Sequence, residues 1–164
     1  MNPRLFLPFL LLSVLAVPAF AQQPPRNAAY VEIGGNGIIP TINYERRFSD
    51  RFAGRIGFSI VTSEESGGEE DVTFAIPVMA NFISHPRLNH HFEAGGGVLF
   101  VVGDEQDFSI GNDGEEIANV ALTGLAGYRF QRPGRGFVFR AGITPFYFDG
   151  DFAPWAGVSF GYGW

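Results

Sequence analysis

The chain contains no cysteine. Disulfides, thiolate chemistry and thiolate metal sites are therefore excluded. Past residue 21 no apolar run reaches the length of about eighteen residues that a spanning helix needs. Cations are scarce: eleven Arg plus Lys face seventeen Asp plus Glu, a formal charge of −6. That balance argues against nucleic acid as a partner. A phosphate loop is missing too, because Gly34-Gly35-Asn36-Gly37 is followed by no Lys and by no segment that reads as a helix. What the chain has instead is 22 Gly, 18 Phe and 5 Tyr. Glycine weakens helices but fits a tightly curved sheet with a crowded interior.

Residues 1–21 read as a secretory signal peptide. Arg4 supplies the positive start, Leu5 to Val17 is apolar apart from Pro8 and Ser13, and Ala19-Phe20-Ala21 is a small-x-small cleavage triplet. The alternative is a retained anchor, for which the run is short. No Cys follows to accept a lipid. Residues 22–27 read as a polar periplasmic leader and 28–164 as one domain. Cleavage after Ala21 removes one Arg and makes the charge −7. An exported domain of this size without disulfides needs another stabilising device, and a closed hydrogen-bonded sheet in a membrane supplies one.

Eight segments alternate with a period of two, the signature of strands with unlike faces. They are predicted at Ala28–Asn36, Ile39–Phe48, Phe52–Thr62, Val72–Ser84, His90–Val102, Ile117–Phe130 and Gly136–Phe148, with the last running from Pro154 to Trp164. In the fourth, Val72, Phe74, Ile76, Val78, Ala80 and Phe82 alternate with Thr73, Ala75, Pro77, Met79 and Asn81. In the last, Val158, Phe160, Tyr162 and Trp164 alternate with Gly157, Ser159, Gly161 and Gly163. A terminal strand leaves an edge unless another strand pairs with it, and the first strand is the natural partner. Phe146 and Phe148 break the polarity of their face in the seventh segment.

The reading is an all-β fold, an eight-stranded antiparallel up-and-down transmembrane β-barrel. Strands of this length cross a bilayer when tilted. Connections alternate in kind. Those at 63–71, 103–116 and 149–151 carry acidic runs, whereas the turns around Arg51, Arg87, Arg132 and Arg135 are short. Bacterial barrels have short periplasmic turns and longer external loops. A soluble barrel would place its apolar face inside. Here the opposite face carries Glu32, Asn43, Glu45, Arg47, Arg55, Glu93, Arg129 and Arg140, too many ions to bury cheaply among apolar side chains. Tyr44, Phe48, Phe52, Phe92, Tyr128, Phe130, Tyr162 and Trp164 fit an aromatic girdle at one rim, with Phe100 and Tyr147 nearer the other.

With its signal sequence, eight amphipathic strands and Val158-Phe160-Tyr162-Trp164 at alternate terminal positions, the chain resembles the small eight-stranded outer-membrane barrels of the OmpA and OmpX type. Asn43-Tyr44-Glu45-Arg46-Arg47-Phe48 is also similar to stretches of uncharacterised exported barrel proteins. The resemblance implies a bacterial outer-membrane location, with outer-membrane lipid and lipopolysaccharide around the barrel. It also implies that Val158, Phe160, Tyr162 and Trp164 form the signal read by the barrel assembly machinery. It implies no activity.

The inward charges Glu32, Glu45, Arg47, Arg55, Glu93, Arg129 and Arg140 are expected to pair and plug the interior. A gated narrow pore for small solutes or ions is the alternative. A rim-located lipid-modifying enzyme is a second one, but it needs a nucleophile beside His91, and Ser59 is the only inner-face Ser to suggest on a neighbouring part of the barrel wall. No catalytic residue, cofactor or metal ligand set is assigned. His85, His90 and His91 read as turn residues, although a His91–Glu93 pair fits their shared face. The acidic loops lack calcium-loop spacing. Loops 63–71 and 103–116 are left as the surface for an unidentified partner.

Overall fold

The computed structural model describes residues 23–38, 40–64, 70–85, 88–103, 108–110, 115–117, 120–148 and 150–164, without the side chains of 61–71 and 103–119. Residues 1–21, expected to be a signal peptide, lie outside the described residues.

The strands are β1 (Asn27–Gly34), β2 (Thr41–Arg47), β3 (Phe52–Glu64), β4 (Glu70–Ile83), β5 (His90–Gly103), β6 (Phe108–Ile110), β7 (Glu115–Ile117), β8 (Val120–Gln131), β9 (Gly136–Ile143), β10 (Phe146–Phe148), β11 (Asp151–Ala153) and β12 (Ala156–Gly163). β6 and β7 form a separate two-stranded hairpin. The other ten make eight staves, because β9 runs on into β10 and β11 into β12. Prolines cause both breaks. Pro145 and Pro154 carry no N–H for the ladder, yet the stave stays in register because Thr144 N donates to Trp155 O at 2.8 Å.

All neighbours are antiparallel, and β1 closes on β12 from Ala28↔Gly163 to Gly34↔Gly157. Asn27 and Trp164 finish the seam by exchanging backbone hydrogen bonds of 3.0 and 2.9 Å. The terminal strand therefore has no free edge. Following the pairings from Ala28 through Glu45, Arg55, Met79, Gly97, Thr123 and Phe146 leads to Ala153. That residue lies ten positions before Gly163, the true partner of Ala28. This stagger tilts the staves by about 40° and leaves an interior that side chains can fill.

Alternation decides what faces where. Ile42, Tyr44, Ile56, Phe58, Ile60, Leu122 and Phe160 are exposed on the outer wall, whereas Thr41, Asn43, Glu45, Arg55, Ser59, Thr123 and Ser159 are buried inside. Ile42 and Phe48 keep 69% and 71% of their surface, while Arg129 keeps 0%. The barrel is inside out relative to a water-soluble one.

Three details depart from the strand reading. β1 stops at Gly34, and Gly35–Gly37 form a 3₁₀ turn that is buried in the barrel instead of continuing the strand to Asn36. Gly34 and Gly35 take φ of 68° and 72°, a left-handed backbone that glycine adopts freely. The sixth stave starts at Val120, not Ile117, because Ile117 pairs with Phe108 in the outlying hairpin. Asn27 already belongs to β1, and residues 23–26 pack against the turn end. Pro25 is buried, Gly134 N donates to Gln23 O at 2.9 Å, and Arg47 N donates to Arg26 O at 2.7 Å.

Candidate functional site

Inward positions on six staves bring charges of both signs to the middle of the lumen. Desolvated charges are costly unless paired, and here they alternate along one chain. Arg129 on β8 meets Glu45 on β2 through two hydrogen bonds of 2.7 and 2.9 Å. Its Nη1 also lies 3.5 Å from Glu93 Oε1 on β5. Arg140 on β9 holds Glu93 through Nε at 2.8 Å and Nη2 at 3.0 Å. Arg140 Nη1 stands 3.8 Å from Glu32 Oε1 on β1. Arg55 on β3 completes the chain, 3.2 Å from the same oxygen. Three carboxylates thus meet three guanidiniums, a formally neutral set.

Neutral side chains hold both ends. Arg55 Nη2 donates to Asn36 Oδ1. Asn36 Nδ2 then donates to Thr123 Oγ1 at 2.6 Å and Gly124 O at 2.7 Å, so the 3₁₀ turn is tied across the lumen to β8. Toward the turn end, Gln131 Oε1 accepts from Arg129 Nε at 2.7 Å and from Arg47 Nη2 at 2.9 Å. Arg47 makes no ion pair among the described residues; its other contact is a 3.3 Å bond to Asp50 O. Tyr30 lays its ring 4.7 Å from the Arg140 guanidinium carbon and donates to Glu45 at 3.4 Å. Ser159 and Asn81 add bonds to Glu32 and Glu93 at 3.2 and 3.0 Å.

The loop-side half of the lumen is different. Ala75, Leu99, Val101, Ala121, Phe146, Phe148 and Ala153 form an apolar cluster, with Ile38 and Trp155 packed against it. The interior is therefore a polar tier under an apolar tier, and not ionic throughout. A gap of about 10 Å³ remains between Glu32, Glu93, Arg140, Thr144 and Ser159, room for one water molecule at most.

His91 does not pair with Glu93. Its Nδ1 faces Ser84 O at 2.7 Å and its Nε2 faces Gln131 O at 3.2 Å. His90 sits on the outer wall with Nδ1 2.6 Å from the Tyr128 hydroxyl, and His85 is exposed in the turn. Ser59 is spent on Pro40 O at 3.1 Å. Among the described residues no serine hydroxyl is hydrogen-bonded to a histidine ring. Val158, Phe160, Tyr162 and Trp164 all point outward and are exposed. The acidic side chains of loops 63–71 and 103–116 lie outside the described residues.

Asn36, Thr123, Gln131 and Tyr30 went unassigned in the sequence. Asn36 carries one local signal, glycines on both sides that let the turn bend inward.

No family model matches the chain, and no curated protein does. Among solved structures, the N-terminal β-barrel domain of Pseudomonas aeruginosa OprF is similar with a TM-score of 0.60 and 10% identity, covering 87% of this chain and 100% of that one. The Yersinia pestis outer membrane protein Ail in a phospholipid bilayer nanodisc gives a TM-score of 0.49 and 14% identity over 85% of this chain and 99% of that one. The first similarity shows the fold.

Proposed function

We propose that this chain is a non-enzymatic barrel of the bacterial outer membrane that acts through its surfaces, in a structural or interaction role, while its lumen stays plugged. The observation that carries this reading is the pairing of an apolar outer wall with an ion-paired interior. Ile42, Ile56, Phe58, Ile60, Leu122 and Phe160 stand exposed around a closed ladder. Hydrocarbon is the solvent that favours such a wall, and a closed barrel is the β-structure that survives in it. Inside, among the described residues, the alternating Glu–Arg chain and the apolar cluster above it fill the lumen with side chains, which supports a plugged interior.

In this reading Glu32, Glu45, Arg47, Arg55, Glu93, Arg129 and Arg140 are structural, with Arg47 anchoring the turn end through Gln131. Lipid and lipopolysaccharide surround the wall, the assembly machinery reads Val158, Phe160, Tyr162 and Trp164, and loops 63–71 and 103–116 face the exterior for a partner.

Conductance in planar lipid bilayers tests the plug, with the parent protein beside Arg140→Ala (R140A). The expected result is no discrete conductance in the parent. Reproducible steps in the parent, with ion selectivity altered by R140A, would replace the plug with a narrow pore filtered by the Glu–Arg chain.

A further inference from the structure

The turn end of the barrel carries exposed cations that form no ion pair among the described residues, with Asp50 the one acidic side chain in the same turns. Arg26, Arg46, Arg51, Arg132 and Arg135 are all exposed there. The ion pairs among the described residues use Arg55, Arg129 and Arg140, and none of these five. The chain contains no lysine, so each of these charges is a planar guanidinium whose fork matches a phosphate.

Their placement is specific. Arg46 lies on the outer wall of β2 between the exposed rings of Tyr44 and Phe48. Arg26 is beside it, because its carbonyl accepts from Arg47 N, and Arg51 lies in the next turn. Arg132 and Arg135 occupy the β8–β9 turn, on the far side of the mouth by the strand order. Two arcs of unpaired cations thus flank the barrel near its outward aromatic side chains. Aromatic rings settle at the interface of a bilayer, and a long arginine stem reaches from there to the headgroup layer.

We propose that this rim binds the phosphate headgroups of anionic phospholipids in the leaflet around the turn end. The inference rests on the membrane reading above and goes beyond it, because an apolar wall alone has no preference for headgroup charge. Anionic headgroups complement the rim in sign, and each arginine near such a surface contributes attraction that falls off within a Debye length.

The test uses the full chain, expressed and purified from membranes in detergent, then placed in nanodiscs of phosphatidylcholine with or without phosphatidylglycerol. Native mass spectrometry counts the lipids retained on the barrel. The parent is compared with R46Q/R51Q/R132Q/R135Q and with the same four positions changed to lysine. The parent is expected to retain phosphatidylglycerol over phosphatidylcholine, with a preference that falls by up to about fivefold for each arginine removed. The lysine variant should keep most of the preference, and high salt should reduce it. Equal retention by parent and glutamine variant overturns the proposal while leaving the membrane reading intact. So does a parent without lipid preference that binds peptidoglycan sacculi through the same arginines. If the parent fails to enter nanodiscs of either composition, the membrane reading itself fails and takes this proposal with it.

Discussion

Arg129 and Glu45 face each other across the lumen, joined by two hydrogen bonds of 2.7 and 2.9 Å from separate guanidinium nitrogens to separate carboxylate oxygens, although 84 residues separate them in the chain. Both side chains are buried. The pair locks β8 to β2, staves that do not neighbour each other in the wall.

Removing one partner strands the other charge. Glu45→Gln is expected to lower stability by about 3–5 kcal/mol, the usual cost of an uncompensated buried charge. Adding Arg129→Met to Glu45→Gln should recover part of the loss, since it removes the stranded cation. Urea unfolding in detergent micelles, read as a double-mutant cycle, measures the coupling. Two additive effects would show that the pair does not act as a unit.

Asn36 ties the inward turn to β8 and also receives Arg55. Asn36→Ala removes these bonds and leaves Thr123 and Arg55 with one partner fewer in the buried interior. The expected loss is about 2 kcal/mol, from buried polar groups left unsatisfied. An unfolding midpoint unchanged from the parent would mean that the glycines hold the turn without Asn36.

Gly142 is inward and closely packed. A Cβ there would stand 2.7 Å from Ala126 O, closer than real contacts allow, whereas at outward Gly96 the nearest atom is 3.9 Å away. Gly142→Ala should cost about 1–3 kcal/mol by overpacking, while Gly96→Ala should stay near neutral. The same urea titration compares them, and equal effects at the two sites would contradict the packing argument.

Trp164 closes the seam with its backbone, while its side chain stays exposed. Trp164→Ala should therefore refold in detergent almost as well as the parent. In cells its yield in the outer membrane should fall several-fold if the side chain belongs to the assembly signal. Equal cellular yields would remove Trp164 from that signal.

Much of the architecture was legible because a strand has a strict period of two. Val31 and Ile33 on β1, or Ile42 and Tyr44 on β2, declare the outer face without reference to any other strand, and the buried partners Glu32, Asn43 and Glu45 follow by alternation. The inward turn was not legible. Gly35-Asn36-Gly37 reads equally well as the end of an alternating strand, and its buried position depends on Thr123 and Gly124, nearly ninety residues away in sequence. His91 shows the same limit. Its spacing to Glu93 suggested a pair, but the backbone carbonyls of Ser84 and Gln131 took both ring nitrogens.

The apolar outer wall, the ionic character of the inner face and the basic turn end could all be read from the chain alone, since each is a local pattern of residue type. Which charge meets which emerges only on closure of the barrel, as do the turn of Arg47 to Gln131 rather than to a carboxylate and the apolar tier of Leu99, Phe146 and Phe148 on the loop side. The physical reason is the stagger of the barrel. A ten-residue shift between the closing strands sets the height of every inward side chain relative to the others. That shift belongs to the closed ring of hydrogen bonds and to no single strand.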